Sequence, residues 1–230
     1  MSAVLIAGCA VLGLVVGYLL DPVITRLPLR QPVLGPTTGD EPPPRPVRRA
    51  LVSVACGALF GALAARFDGS WAIPAYLVLA AALVALAAID LEHFILPNRI
   101  VYPLGVAMLG LLAVAALGDS DGRDFVRAAL AGLVAFGAFF ALHMVSPRSM
   151  GFGDVKLSFT LGLALGWVGW GEVFLGLFLG FVYGAVVGVS LIVTKLRTRR
   201  DHVPFGPFMA AGAITAVLVG DTIIRWYRKG

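Results

Sequence analysis

Eight apolar windows, each cut off by a short polar stretch, set the terms for what this chain can fold into. They cover Ala3–Leu20, Ala50–Ala65, Trp71–Ile89, Ile100–Leu117, Phe125–Val145, Leu157–Trp170, Val173–Val193 and Pro204–Ile224. Inside hydrocarbon every backbone N–H and C=O must find a partner within the protein, so such runs become helices. At 1.5 Å per residue, about 20 residues cross roughly 30 Å of hydrocarbon. The Leu157–Trp170 window is short of that. It either draws in Val155 through Phe174 or sits among other helices, so eight spans are expected and seven is the nearest rival. Asp21 and Pro22 are expected to stop the first span. Met1-Ser2 carries no positive charge and no clear signal-peptidase site follows, so that span reads as a retained helix.

Composition agrees with this pattern. Residues of the set AVILMFWYC make up 59% of the 230, and charged residues only 13%, roughly half the share in a soluble domain. That excludes a disordered chain and argues against a water-soluble globule. The fold class is all-α, a polytopic membrane helical bundle, read as one integral-membrane domain over residues 1–230. Cys9 and Cys56 both lie within apolar runs and read as small buried hydrophobes. The net charge of +5 reads as topology signals flanking helices rather than a nucleic-acid surface. With the N-terminus outside, segments 26–49, 91–99, 146–156 and 195–202 face the cytoplasm and hold twelve of the 18 basic residues. That bias sets the orientation. Lipid is a partner by necessity, and Gly176 with Gly180 and Gly184 with Gly188 read as close helix-packing positions.

Ionisable residues at membrane depth are costly and therefore informative. Asp90 ends the third window, and Asp154 lies just before the sixth. Successive spans alternate in direction, so the third helix running inward and the sixth running outward bring both carboxyls to the same depth, near the cytoplasmic face. Two carboxyls that share a proton are the equipment of an aspartic protease. Such a pair needs no metal and no cofactor. Asp154, near a helix N-terminus, is favoured as the anion, whereas Asp90, at a C-terminal end, is expected to carry the proton. Gly151 and Gly153 are expected to let the backbone turn tightly and a peptide approach closely, with Lys156 snorkelling at the interface. Asp21 reads as structural at the end of the first span. Asp221 is expected at the interface or paired with Arg225, His93 at the surface, and His143 bonded to a neighbouring helix.

At these residues the chain resembles the type IV prepilin leader peptidases, integral-membrane aspartic proteases of the Gly-x-Gly-Asp class. The stretch from Gly17 through Asp21 to Arg26-Leu27-Pro28 is similar to the family's N-terminal signature. Ala88-Ile-Asp-Leu-Glu-His-Phe-Ile-Leu-Pro-Asn98, with Glu92 and Pro97, resembles its first catalytic segment. Gly151-Phe-Gly-Asp-Val-Lys-Leu157 resembles the second, and Val203-Pro-Phe-Gly-Pro-Phe-Met-Ala-Ala-Gly212, with Pro204, Gly206 and Pro207, the segment opening the last helix. The resemblance implies catalytic roles for Asp90 and Asp154. It also implies a prepilin or pseudopilin substrate with a short basic leader, cut at the cytoplasmic face of the bacterial inner membrane. A cationic leader would be drawn toward acids such as Glu92 or Asp90, with the surrounding arginines opposing that attraction.

Larger members of that family carry two Cys-x-x-Cys pairs that bind zinc in the first cytoplasmic loop, and they N-methylate the new terminus with S-adenosylmethionine. Loop 26–49 contains no cysteine, so a zinc site of that type is excluded there, and methylation is left open. A different class stays in view: intramembrane aspartates also suit a small proton- or cation-coupled transporter, although such acids belong near the midplane of two related halves. A membrane scaffold, needing no matched acids, is a third class.

Overall fold

The computed structural model describes residues 3–28, 45–119, 122–147, 150–195 and 203–229. Most of loop 26–49 and of segment 195–202 therefore lies outside the described residues, as do Arg30 and Arg148. The described chain is all helical: α1 (Ala3–Leu19), α2 (Asp21–Arg26), α3 (Pro46–Arg66), α4 (Ile73–His93), α5 (Asn98–Gly118), α6 (Gly122–Val145), α7 (Phe152–Val168), α8 (Trp170–Val193) and α9 (Gly206–Lys229). Among the described residues, seven segments are long and apolar enough to cross a membrane, with α1 and α2 joined as one span over Ala3–Arg26. The protein is thus a multi-pass membrane bundle.

The first span does not stop at Asp21 and Pro22 as expected. The Ile24 N–H donates to the Leu20 carbonyl over 2.9 Å, carrying the helix across the joint. Pro22 falls in the first turn of α2, where a missing N–H costs nothing. Other helices also outrun their apolar windows. α4 continues to His93, so Asp90 lies in its last turn rather than at its end, and α7 begins at Phe152, so Asp154 lies inside its first turn. Each overrun adds polar residues that hydropathy alone leaves out.

The segment α7 is the short one. Its 17 residues extend about 25 Å, and most of them are buried among α5, α6, α8 and α9. Being apolar on all sides, it presents no polar face to solvent. It nonetheless runs from one end of the bundle to the other, antiparallel to α4. Near its start Asp154 shares a cavity with Asp90 at the end of α4. Near its finish the Ala164 carbonyl accepts a hydrogen bond from the buried Tyr76 hydroxyl, 2.6 Å away near the start of α4. Arg127, in the first turns of α6, holds the last carbonyls of α7: its Nε donates to the Gly166 oxygen over 2.6 Å, and its Nη2 to the Trp167 oxygen. A cation at this negative end of the helix dipole is favourably placed.

Helix pairing uses small residues. Gly162 sits so close to α6 that a Cβ would stand 2.6 Å from the Ala131 carbonyl, and a Cβ at Gly13 would meet the Cys56 carbonyl of α3 at 2.5 Å. Without Cβ atoms these backbones approach closely enough for dispersion contacts to accumulate. Among the expected packing glycines, Gly176 and Gly180 do face neighbours across α7 and α9. Gly188 does not: nothing lies within 4 Å of a Cβ there.

At the end of the bundle away from Asp90, Arg66 of α3 pairs with the Asp221 carboxylate of α9 and donates through Nε to the Val217 carbonyl at 3.2 Å. The sequence places Asp221 at the interface or paired with Arg225. Arg225 instead donates to the Asp221 backbone oxygen at 3.0 Å, because Arg66 reaches the carboxylate from across the bundle.

Candidate active site

The last turn of α4 delivers Asp90, and its exit is held in a fixed shape. Phe94 adopts left-handed φ of 56° and caps the helix, its N–H donating to the Asp90 carbonyl at 2.9 Å. A non-glycine residue there is uncommon. The chain then runs extended through Pro97, which precedes α5 and whose carbonyl accepts from Ile100 and Val101. The carboxylate of Asp90 is buried and accepts the Gly206 N–H at 3.1 Å. Gly206 opens α9, and Pro207 follows it in the first turn.

Asp154 comes from the first turn of α7, where its N–H donates to the Gly151 carbonyl at 3.1 Å. Gly151 has φ −66° and ψ 142°, a conformation open to any residue, so the expectation that it supplies a special turn is corrected. Its value is space. A Cβ at Gly151 would lie 3.3 Å from the Asp154 Oδ2, one at Gly153 would lie 2.9 Å from the Leu96 Cβ, and one at Gly206 would lie 2.8 Å from the Asp90 Oδ2. Three glycines thus leave room for the two carboxyls and for Leu96 between them.

Asp90 and Asp154 line one cavity of about 400 Å³, together with Phe94, Leu96, Met150, Lys156 and Pro204 among others. Asp90 also faces a helix N-terminus, that of α9, so both carboxyls lie at the positive end of a helix.

Lys156 stands at the rim. Its Nζ donates to the Asn98 Oδ1 at 2.9 Å and lies 5.0 Å from the Tyr102 ring and 4.8 Å from the Phe152 ring. His143, at the end of α6, bonds the Met150 carbonyl through Nδ1 at 2.9 Å and so steadies the approach to Gly151. Asp21, Arg26 and Glu92 lie outside the cavity. Arg48 of α3 binds Asp21 at 2.8 Å and Glu92 at 3.0 Å, and Arg45 binds Glu92 at 3.0 Å. Glu92 is therefore engaged by two arginines rather than waiting for a cationic leader. Arg26 closes α2. Among the described residues, no cluster of three or more His, Cys, Asp or Glu is placed to hold a metal ion.

Sequence reasoning did not single out Leu96, Met150 or Arg48. Leu96 meets both Gly153 and Gly206, a convergence of three distant segments with no mark in local sequence. Arg48 was visible only as one member of a basic run.

A model of the type IV leader peptidase family matches residues 77–189, a stretch that contains both aspartates. The chain is 35% identical over 189 residues to a prepilin leader peptidase/N-methyltransferase of Aeromonas hydrophila, covering 80% of this chain and 62% of that protein. Proteins of the same description from Pseudomonas aeruginosa (33% over 186 residues, 78% and 61%) and Bacillus subtilis (33% over 172 residues, 74% and 66%) are also similar. The chain therefore spans less than two thirds of the length of these relatives. No solved structure matches it.

Proposed function

The chain belongs to the type IV leader peptidase family, and from that premise we propose that it is a membrane aspartic endopeptidase cutting the basic leader from a prepilin or pseudopilin. Asp90 and Asp154 would be its catalytic pair, working at the cytoplasmic face of a bacterial inner membrane. The observation that carries the reading is the convergence of these two buried carboxyls, from α4 and α7, on one cavity. The twelve-to-six bias of basic residues toward the same side supports the orientation.

The chemistry follows from one shared proton. The ionised carboxyl takes a proton from a water, whose oxygen forms a bond to the scissile carbonyl carbon. The protonated carboxyl gives its proton to the carbonyl oxygen as that bond forms. Collapse of the tetrahedral diol breaks the C–N bond. One diol hydroxyl returns its proton to the ionised carboxyl as the carbonyl re-forms, and the leaving nitrogen takes the proton of the other carboxyl, so the pair ends with one proton as it began. The Gly206 N–H holds the Asp90 carboxyl from the backbone side, and Leu96 and Phe94 line the cavity beside the pair. Lys156 at the rim lies near the point where substrate would leave the cavity.

The names of the relatives include N-methylation, for which S-adenosylmethionine would be the methyl donor. The described residues provide little for an adenosyl group beside the aspartates: the neighbouring cavity is almost wholly apolar, and a third, with Arg123 and Arg127, lies at the opposite end of α6. The proposal is therefore confined to leader removal, and no step is routed through that cofactor.

Co-expression with a prepilin, followed by intact-mass measurement, tests the reading. Loss of the leader with wild type, and an intact leader with both D90N and D154N, is the expected result. Intact leaders with wild type, together with proton-coupled solute uptake, would favour the transporter instead.

A further inference from the structure

Beside the aspartate cavity lies a second one of about 350 Å³, between α5, α6 and α7, open on the lipid side. Its wall is apolar: Tyr102, Val106 and Leu133 are exposed there, and Phe136 and Phe159 are half-buried. The two cavities share Lys156 as a lining residue. From Tyr102 to Leu109 the groove descends α5 by seven residues, about 10 Å. Its floor is opened by Gly105, whose missing Cβ would stand 3.3 Å from the Thr160 Oγ1.

Thr160 is the informative residue. Its hydroxyl is buried and has no hydrogen-bond partner among the described residues. The other buried hydroxyl of α7, that of Ser158, donates to the Val155 carbonyl at 2.7 Å. An orphaned buried hydroxyl is costly, and it lies six residues, about 9 Å, along α7 from Asp154.

We propose that this groove receives the hydrophobic helix of the substrate, the segment immediately after the cleavage point. The inference rests on the leader-peptidase reading and extends it. A chain leaving the aspartate cavity past Lys156 enters the groove at its upper end, so the cut and the docking surface are continuous. The first turn of a helix carries N–H groups without internal partners, which Thr160 can accept. A lipid acyl chain fills the same apolar wall but brings no donor.

The test places the photo-crosslinking residue p-benzoyl-phenylalanine at Val106 in the full-length D154N chain, co-expressed with a prepilin. The expected result is a crosslink to the first ten or so residues after the cleavage point. Crosslinks to lipid alone would overturn the proposal. In the otherwise wild-type chain, Val106→Trp should raise KM for the prepilin at least tenfold, more than it lowers kcat, whereas Val189→Trp on exposed α8 surface should leave both unchanged. Equal kinetics for Val106→Trp and wild type would overturn the groove while leaving the peptidase reading intact. No leader removal by wild type would instead remove that reading and the groove with it.

Discussion

The backbone N–H of Gly206 donates to the carboxylate of Asp90 over 3.1 Å, across 116 residues of sequence. The start of α9 thereby fixes the position of an acid carried at the far end of α4. The same glycine has no room for a side chain, since a Cβ would stand 2.8 Å from the Asp90 Oδ2.

Gly206→Ala should therefore push the Asp90 carboxyl out of place without removing any buried apolar contact. Displacing a reacting group by about 1 Å costs on the order of 10²-fold in rate. The expected outcome is that loss in prepilin cleavage with a thermal unfolding midpoint close to wild type. Full activity in this variant would show that the Gly206 contact does not position Asp90.

Gly153 and Leu96 offer a cleaner coupling. A Cβ at position 153 would meet the Leu96 Cβ at 2.9 Å, an atom close to the backbone that cannot swing away. Gly153→Ala should destabilise the protein by about 1–3 kcal/mol. Leu96→Gly, which removes that Cβ, should relieve part of the clash in the double variant, a non-additivity that thermal unfolding in detergent would measure.

How much of this could be read from the chain alone depends on the range of the interaction. The helices were legible because hydrocarbon demands internally paired backbone over a whole span, and their apolar runs announce it. Asp90 and Asp154 were legible because alternating spans leave few depths at which two acids can meet. Helix ends were less so: the last turn of α4 and the first turn of α7 are polar, and hydropathy windows stop before them. Partners were least legible. Arg66 rather than Arg225 holds the Asp221 carboxylate, and Arg48 rather than a ligand occupies Glu92, because side chains from distant helices reach acids that local spacing assigns to neighbours. The glycines illustrate the same limit. Gly151 and Gly153 stood out by motif, but their function is clearance beside Asp154 and Leu96, which only packing reveals.

Arg48 should be a structural residue. It binds Asp21 and Glu92 together and is only 14% exposed, so Arg48→Ala takes its cation from Asp21 and leaves Glu92 with Arg45 alone. A loss of about 1–3 kcal/mol is expected, read as a lower unfolding midpoint. Arg48→Lys should recover only part of it, because a single ammonium cannot reach both acids as the forked guanidinium does.

Rate against pH should be bell-shaped. In the proposed mechanism the pair is active with one proton. Acid adds a second and removes the base, and alkali strips the last and removes the acid, so kcat/KM should fall on both sides. In a pair acting this way, neither limb belongs to one aspartate alone. A rate that rose and then stayed level to high pH would mean that no protonated carboxyl takes part.

The account's central claim is that Asp90 and Asp154 work as one unit, and single-turnover cleavage of a prepilin by purified D90N, D154N and the double variant tests it most directly. Groups that act together show strong non-additivity. Each single variant should lose more than about 10³-fold, and the double variant should lose no more than either. A single variant that kept activity within tenfold of wild type, or a double variant whose loss equalled the product of the two single losses, would contradict it.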